Sequence, residues 1–242
     1  MYTSQRDIIT QLQKDIFRLH ECKTILNSTS VDVELGAIKN AFPNNTFPLG
    51  AIHEFIAATE DNAVTGGFVA TILASLMPAR GATIWIGSNR AIFPPALKLF
   101  GISPDKIIFI DLQKEKEILW AIEEALKCKG VAAVVGEMQE LSFTASRRLQ
   151  LAVEQSRVTG FILRQNPRNL NTTACVTRWK ITSLPSELAD NMPGVGFPRW
   201  NVELLKVRNG RPGAWQVEIT AGKLRHIYKI VSLSQLQKKK AG

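Results

Sequence analysis

Ala51-Ile52-His53-Glu54-Phe55-Ile56-Ala57 runs through Ala58-Thr59-Glu60-Asp61-Asn62-Ala63-Val64-Thr65 into Gly66-Gly67-Phe68, and this passage decides the fold. Its first seven residues are nearly all apolar, as in a strand covered on both faces. A helical pattern follows over about 66–77. The same rhythm then recurs. Strand-like runs at Thr83–Ile86, Ile107–Ile110, Val131–Val135 and Phe161–Leu163 are separated by helical patterns at about 93–100, 115–128 and 144–157. Alternation of apolar strands with helices predicts a parallel sheet, and right-handed crossovers turn it into a three-layer α/β/α core.

After Gly160 the pattern changes. Val176–Ile181, Trp200–Val207, Trp215–Thr220 and Leu224–Tyr228 read as antiparallel strands, with Asn209-Gly210-Arg211-Pro212-Gly213 as a hairpin turn between two of them. The predicted architecture is a mostly parallel α/β core extended by antiparallel C-terminal strands. Upstream, Ile8, Leu12, Ile16 and Leu19 share one face of a predicted amphipathic helix over 4–25, capped by Ser4 and broken by Asn27-Ser28-Thr29-Ser30. Residues 1–30 thus form a helix and linker, 31–230 one domain, and 231–242, with Lys238-Lys239-Lys240, a basic tail.

Of 242 residues, 45% are hydrophobic and 21% charged, which excludes wholesale disorder and collagen. No run approaches the ~18 apolar residues of a membrane span. Met1–Asp7 lacks the apolar core of a secretory signal, so the expectation is a cytoplasmic protein. Cys22, Cys128 and Cys175, like His20, His53 and His226, are scattered, offering neither a disulfide framework nor metal-ligand spacing. The net charge of +9 is lopsided: residues 1–125 carry 11 Lys/Arg and 14 Asp/Glu (−3), residues 126–242 carry 19 and 7 (+12). Such a field attracts phosphates or an acidic partner, though a solvated basic surface gives the same count.

A strand–turn–helix at the head of a parallel sheet is where a phosphate-binding loop belongs. That chemistry needs close backbone N–H groups, a Lys and a Ser/Thr. Here no Lys occurs between Lys39 and Lys98, and Glu60 and Asp61 stand where phosphate wants positive charge. The degenerate loop retains Ala57, Asn62, Gly66 and Gly67, with the two glycines read as a helix-start turn. Val131–Val135 continues as Gly136-Glu137 in place of a metal-holding Asp, and Thr83–Ile86 ends in Gly87-Ser88-Asn89 without a carboxylate to activate water. Glu115, Glu117, Glu123 and Glu124 lie on a helical pattern with Lys neighbours, as solvated pairs do. These features predict a non-enzymatic protein with no cofactor and no metal.

Trp85-Ile86-Gly87-Ser88-Asn89-Arg90, Phe93-Pro94-Pro95-Ala96-Leu97, Gly101-Ile102 and Leu119-Trp120-Ala121-Ile122-Glu123-Glu124-Ala125-Leu126 form a characteristic succession. Ser146-Arg147-Arg148-Leu149-Gln150-Leu151-Ala152, Phe161-Ile162-Leu163-Arg164, Arg199-Trp200-Asn201-Val202 and Leu205-Lys206-Val207-Arg208-Asn209-Gly210 complete it. Over roughly residues 30–220 the chain resembles the RecA-like fold and, more narrowly, the ImuA family of error-prone-repair accessory proteins, in the form common in Bacteroidetes-type bacteria. The resemblance implies an SOS-induced, non-catalytic partner of ImuB, an inactive Y-family polymerase homologue, and of an error-prone C-family polymerase in mutagenic translesion synthesis.

Station by station, the resemblance places Ala57 at the first loop glycine, Asn89 at the catalytic acid, Gly136 at the metal-binding acid and Gln165 at the glutamine that couples nucleotide to DNA loops. It also implies DNA-binding loops after Val131–Val135 and Phe161–Leu163. The candidate DNA-binding residues are therefore Arg147, Arg148, Arg164, Arg168, Arg178 and Lys180, with single-stranded DNA or RecA as a further partner. Trp179 and Trp200 are core positions by pattern and base-stacking groups by the alternative reading. Two other functions share this outline. A SulA-like cell-division inhibitor would turn its basic half toward an acidic division protein, and an ATP-dependent recombinase is disfavoured by the missing lysine.

Overall fold

A computed structural model of the chain describes residues 31–88, 92–187 and 196–227, the side chains of residues 79 and 80 excepted. The helix expected over 4–25 and the tail 231–242 lie outside the described residues. The elements below belong to the unit Val33–Gly242.

Nine strands form one sheet in the order β3-β2-β4-β5-β1-β6-β7-β8-β9. They are β1 (Ile52–Ala57), β2 (Thr83–Gly87), β3 (Ile107–Asp111), β4 (Ala133–Met138), β5 (Thr159–Gln165), β6 (Thr177–Leu184), β7 (Arg199–Val207), β8 (Gly213–Thr220) and β9 (Lys223–His226). Among the described residues three α-helices cross it: α1 (Asn62–Arg80), α2 (Glu115–Lys127) and α3 (Phe143–Ser156). This is the RecA-like arrangement, a parallel core continued by antiparallel strands.

Burial explains why each helix takes its place. In α2 the buried residues Ile118, Ile122, Ala125 and Leu126 recur at helical spacing and pack with Leu149, Ala152 and Val153 of α3 over Ile52, Val134 and Ile162 of the sheet. Ser142 starts α3, its Oγ accepting the Ala145 N–H at 3.1 Å. On the opposite face lies α1, in which Phe68, Val69, Ala70, Ile72, Leu73 and Leu76 are all fully buried. A helix so apolar around its circumference must be enclosed. Phe68 packs against Phe55, Trp179 and Trp200, and Trp179 stacks on Phe55 with centroids 6.0 Å apart. Both tryptophans are therefore core groups.

Two elements differ from the sequence reading. The segment expected as a helix over 93–100 is a 3-10 turn, Pro94–Phe100, closed by Gly101 at φ 76°. Seven residues stopped by a left-handed glycine are too few to gain much from α-helical bonding. The strand expected at Val176–Ile181 is antiparallel to β7 but parallel to β1. The chain between β5 and β6 crosses over β1 as an extended strap, residues 166–176, where a helix normally serves. Thr173, Ala174, Cys175 and Val176 of the strap are buried. β6 is thus the pivot from the parallel to the antiparallel part of the sheet.

Candidate functional site

The positions where the resemblance would place a nucleotide come first, since the fold brings them to the carboxyl ends of the strands. Ala57 ends β1, and α1 begins at Asn62. Counting the phosphate-loop spacing from Ala57 puts the second glycine at Asn62 and the lysine at Ala63. Glu60 is exposed, whereas the Asp61 carboxylate is buried and accepts the backbone N–H of Ser183 at 3.0 Å. That acid holds the far end of β6 to the turn. Gly66 and Gly67 lie inside α1, beyond the turn. A Cβ on Gly67 would meet the Trp200 ring at 3.1 Å and Phe100 at 3.2 Å, so this glycine serves helix packing.

The acid positions are filled in a similar way. Gly136 faces α2, where an added Cβ would lie 2.2 Å from Ile122 Cδ1. Glu137 points to the opposite face, 3% exposed, and accepts the Trp85 indole N–H at 2.7 Å and the Gln165 amide N–H at 3.0 Å. Gln165, the position of the coupling glutamine, is thereby tied to β4. Asn89 lies outside the described residues.

The densest polar cluster sits beneath the strap. Glu54 in the middle of β1 is fully buried, as is Arg164 of β5. Glu54 accepts from Arg164 Nη1 at 2.9 Å, Arg178 Nε at 2.9 Å and Thr173 Oγ1 at 2.6 Å. Three donors, two of them cationic, compensate the desolvation of one carboxylate. Arg164 also donates to Glu140 and to the carbonyls of Gln139 and Asn169, and Arg178 donates to the Asn171 carbonyl. The two segments that the resemblance implies as DNA loops, 138–143 and 166–173, are therefore cross-braced through Arg164. Burial, and after it the charge of Glu54, pushes the Cys175 thiol up to about 12 and keeps it protonated.

The remaining candidates lie on the surface. Arg147, Arg148, Arg168 and Lys180 are exposed. Arg148 pairs with Glu123 of α2. The side chains of Arg147, Arg168 and Lys180 make no hydrogen bond or ion pair among the described residues. Of the six arginines and lysines singled out, then, two are committed to the interior cluster, one to a helix–helix pair, and three face solvent. Sequence reasoning overlooked the hub, Glu54 with Thr173. The available signal was a carboxylate in the centre of an apolar strand.

Among the described residues no group of three or more His, Cys, Asp or Glu is arranged to hold a metal ion. No helix among them is long and apolar enough to cross a membrane. No family model matches the sequence. Protein ImuA of Caulobacter vibrioides strain NA1000 / CB15N is 34% identical over 210 residues, covering 81% of this chain and 86% of that protein. Protein ImuA of Caulobacter vibrioides strain ATCC 19089 / CIP 103742 / CB 15 matches with the same identity and coverage.

Proposed function

The chain belongs to the ImuA family, and from that premise we propose that it acts as a non-catalytic accessory protein in damage-induced mutagenic translesion synthesis. Its partners are an ImuB-like Y-family polymerase homologue and an error-prone C-family polymerase, and its task is to recruit or regulate them.

One observation carries the non-catalytic part. Among the described residues, groups at the end of the sheet where a RecA-like core would handle a nucleotide are engaged in structural contacts: Asp61 with Ser183, Glu137 with Trp85 and Gln165, and Gly136 packed against Ile122. A triphosphate would also meet Glu60 with no lysine at Ala63, an arrangement that repels it. A core stripped of this chemistry keeps its surfaces, and surfaces are what an accessory protein uses.

Co-purification of the chain with the two polymerase homologues of its own organism tests the reading, together with damage-induced mutation frequency after deletion. Association with at least one of them and a drop in induced mutagenesis are expected. No association and unchanged mutagenesis overturn the proposal. Hydrolysis of ATP by the purified protein would overturn its non-catalytic part alone.

A further inference from the structure

The geometry points to the ledge between α3 and the face of β6 as the docking surface for an acidic segment with aliphatic anchors, supplied by a protein partner. The inference rests on the accessory reading above and names the surface that reading requires.

The ledge follows from how α3 is fixed. Its underside is held to the strap by Ser146, whose Oγ accepts the Ala174 N–H at 2.9 Å, and to β1 by Gln150, whose Oε1 accepts the Ile52 N–H at 3.2 Å. One flank meets α2 through the Arg148–Glu123 pair. The flank turned away from α2 carries Phe143, Arg147 and Leu151, four residues apart and so in one ridge. Phe143 is 52% exposed and Leu151 47%. Next to α3 the sheet steps down to β6, where no helix of the described residues covers this face. Lys180 stands exposed there, on the same side of β6 as Arg178. The strap adds Arg168 and Leu170, the latter 60% exposed, beside the Asn171–Leu141 hydrogen bond that ties it to the start of α3.

Three exposed apolar side chains and three cations whose side chains bind nothing else among the described residues lie on these elements, with Glu154 of α3 and Glu203 of β7, the latter opposite Lys180, as the acids at the margin. Apolar groups clustered within a charged rim are the composition of a protein-binding surface. The cations select the sign of the partner, and the aliphatic groups reward matching side chains. Single-stranded DNA fits less well. Only Phe143 has a ring, Trp179 and Trp200 are buried, and leucines do not stack on bases. Three cations would give a single strand a salt slope of only about −2. The ledge is also held in shape beforehand, because the strap is fixed by the Glu54–Arg164–Arg178 cluster, and little ordering is left to oppose binding.

The test measures binding of the full chain to the purified ImuB-like homologue of the same organism. The double variant Arg147→Glu/Lys180→Glu and the variant Leu151→Ser are compared with Leu99→Ser, an exposed residue of the 3-10 turn that packs against α1. Affinity is expected to fall about tenfold or more in the double variant and severalfold in Leu151→Ser, with Leu99→Ser unchanged. Added salt should weaken the wild type and leave the double variant nearly unaffected. Wild-type binding that all three variants retain overturns the ledge while sparing the accessory reading. Absence of wild-type binding to this homologue overturns the ledge, and the accessory reading falls with it only where the error-prone polymerase also fails to associate and induced mutagenesis is unchanged. Loss confined to an oligo(dT) strand, with partner binding intact, assigns the ledge to nucleic acid and overturns the inference as well.

Discussion

Glu54 and Arg164 meet across β1 and β5 at 2.9 Å, with neither side chain exposed to solvent. Arg164 reaches from this carboxylate to both neighbouring loops and so joins three segments through one side chain. Replacing it by Leu leaves Glu54 with fewer donors in a buried site and should cost about 3–5 kcal/mol. Urea denaturation measures the loss, and amide exchange should speed up over 139–141 and 166–173 ahead of the rest of the sheet. A loss under about 1 kcal/mol would show that Arg178 and Thr173 suffice for Glu54.

His53 supplies a pH dependence. Its ring is fully buried between Phe47 and Phe161; Nε2–H donates to the Pro48 carbonyl and Nδ1 accepts from the Thr177 hydroxyl. Burial lowers its pKa from the usual 6.5 to about 3, against a smaller opposing effect of the Pro48 carbonyl. The folded state therefore stays neutral while the unfolded chain takes up a proton below pH 6.5. Stability from this group is complete above 6.5 and falls as pH drops toward 3, by about 2 kcal/mol at pH 5. Denaturation curves at pH 7.5 and 5 should differ by that amount more in the wild type than in His53→Gln; parallel behaviour would exclude His53 as the source.

Placing an acid at Gly136, the position that the resemblance matches to a metal-binding acid, should unfold the protein before it supplies any chemistry. Gly136→Asp places a Cβ into Ile122 and a carboxylate into the apolar layer between β4 and α2. Overpacking and an unpaired buried charge together should cost about 3 kcal/mol or more. Thermal melting reads this directly. A stable Gly136→Asp variant that binds magnesium nucleotide in calorimetry would refute both the steric account and the reading of this position as filled.

The adjacent acids of the β1–α1 turn should separate in their effects. Asp61→Ala removes the acceptor for the Ser183 N–H and should cost about 1.5–3 kcal/mol. Glu60→Ala, on an exposed side chain, should stay within about 0.5 kcal/mol. Equal effects in chemical denaturation would mean that the turn, rather than the bond to β6, sets the stability there.

The parallel strands and the three helices over Asn62–Arg80, Glu115–Lys127 and Phe143–Ser156 were legible because burial on both faces leaves an unbroken apolar run and helical patterns repeat at a fixed spacing. The departures from a phosphate-binding loop were legible too, since they are matters of identity, such as the missing lysine, rather than of shape. The strap was harder. Residues 166–176 show no periodicity, so nothing signalled that they cross β1 and set β6 parallel to it. Arg164 and Arg178 were ambiguous for a related reason: an arginine beside a polar stretch reads as surface until its partner is known. That partner, Glu54, lies more than a hundred positions upstream, and such separations leave no local trace.

The central position of β1 carries a cost in time. β1 is made first, yet its hydrogen-bonding neighbours on both sides, β5 and β6, end only at Gln165 and Leu184. At a synthesis rate of about 5–20 residues per second, roughly 6–25 s pass between the completion of β1 and that of β6. Until β5 is complete an apolar strand has both edges unpaired, and one edge until β6 follows, with an ionisable glutamate awaiting first Arg164 and then Arg178. The nascent chain is therefore a natural client for a chaperone, and translation slowed before residue 184 should lower the yield of folded protein more than slowing after it.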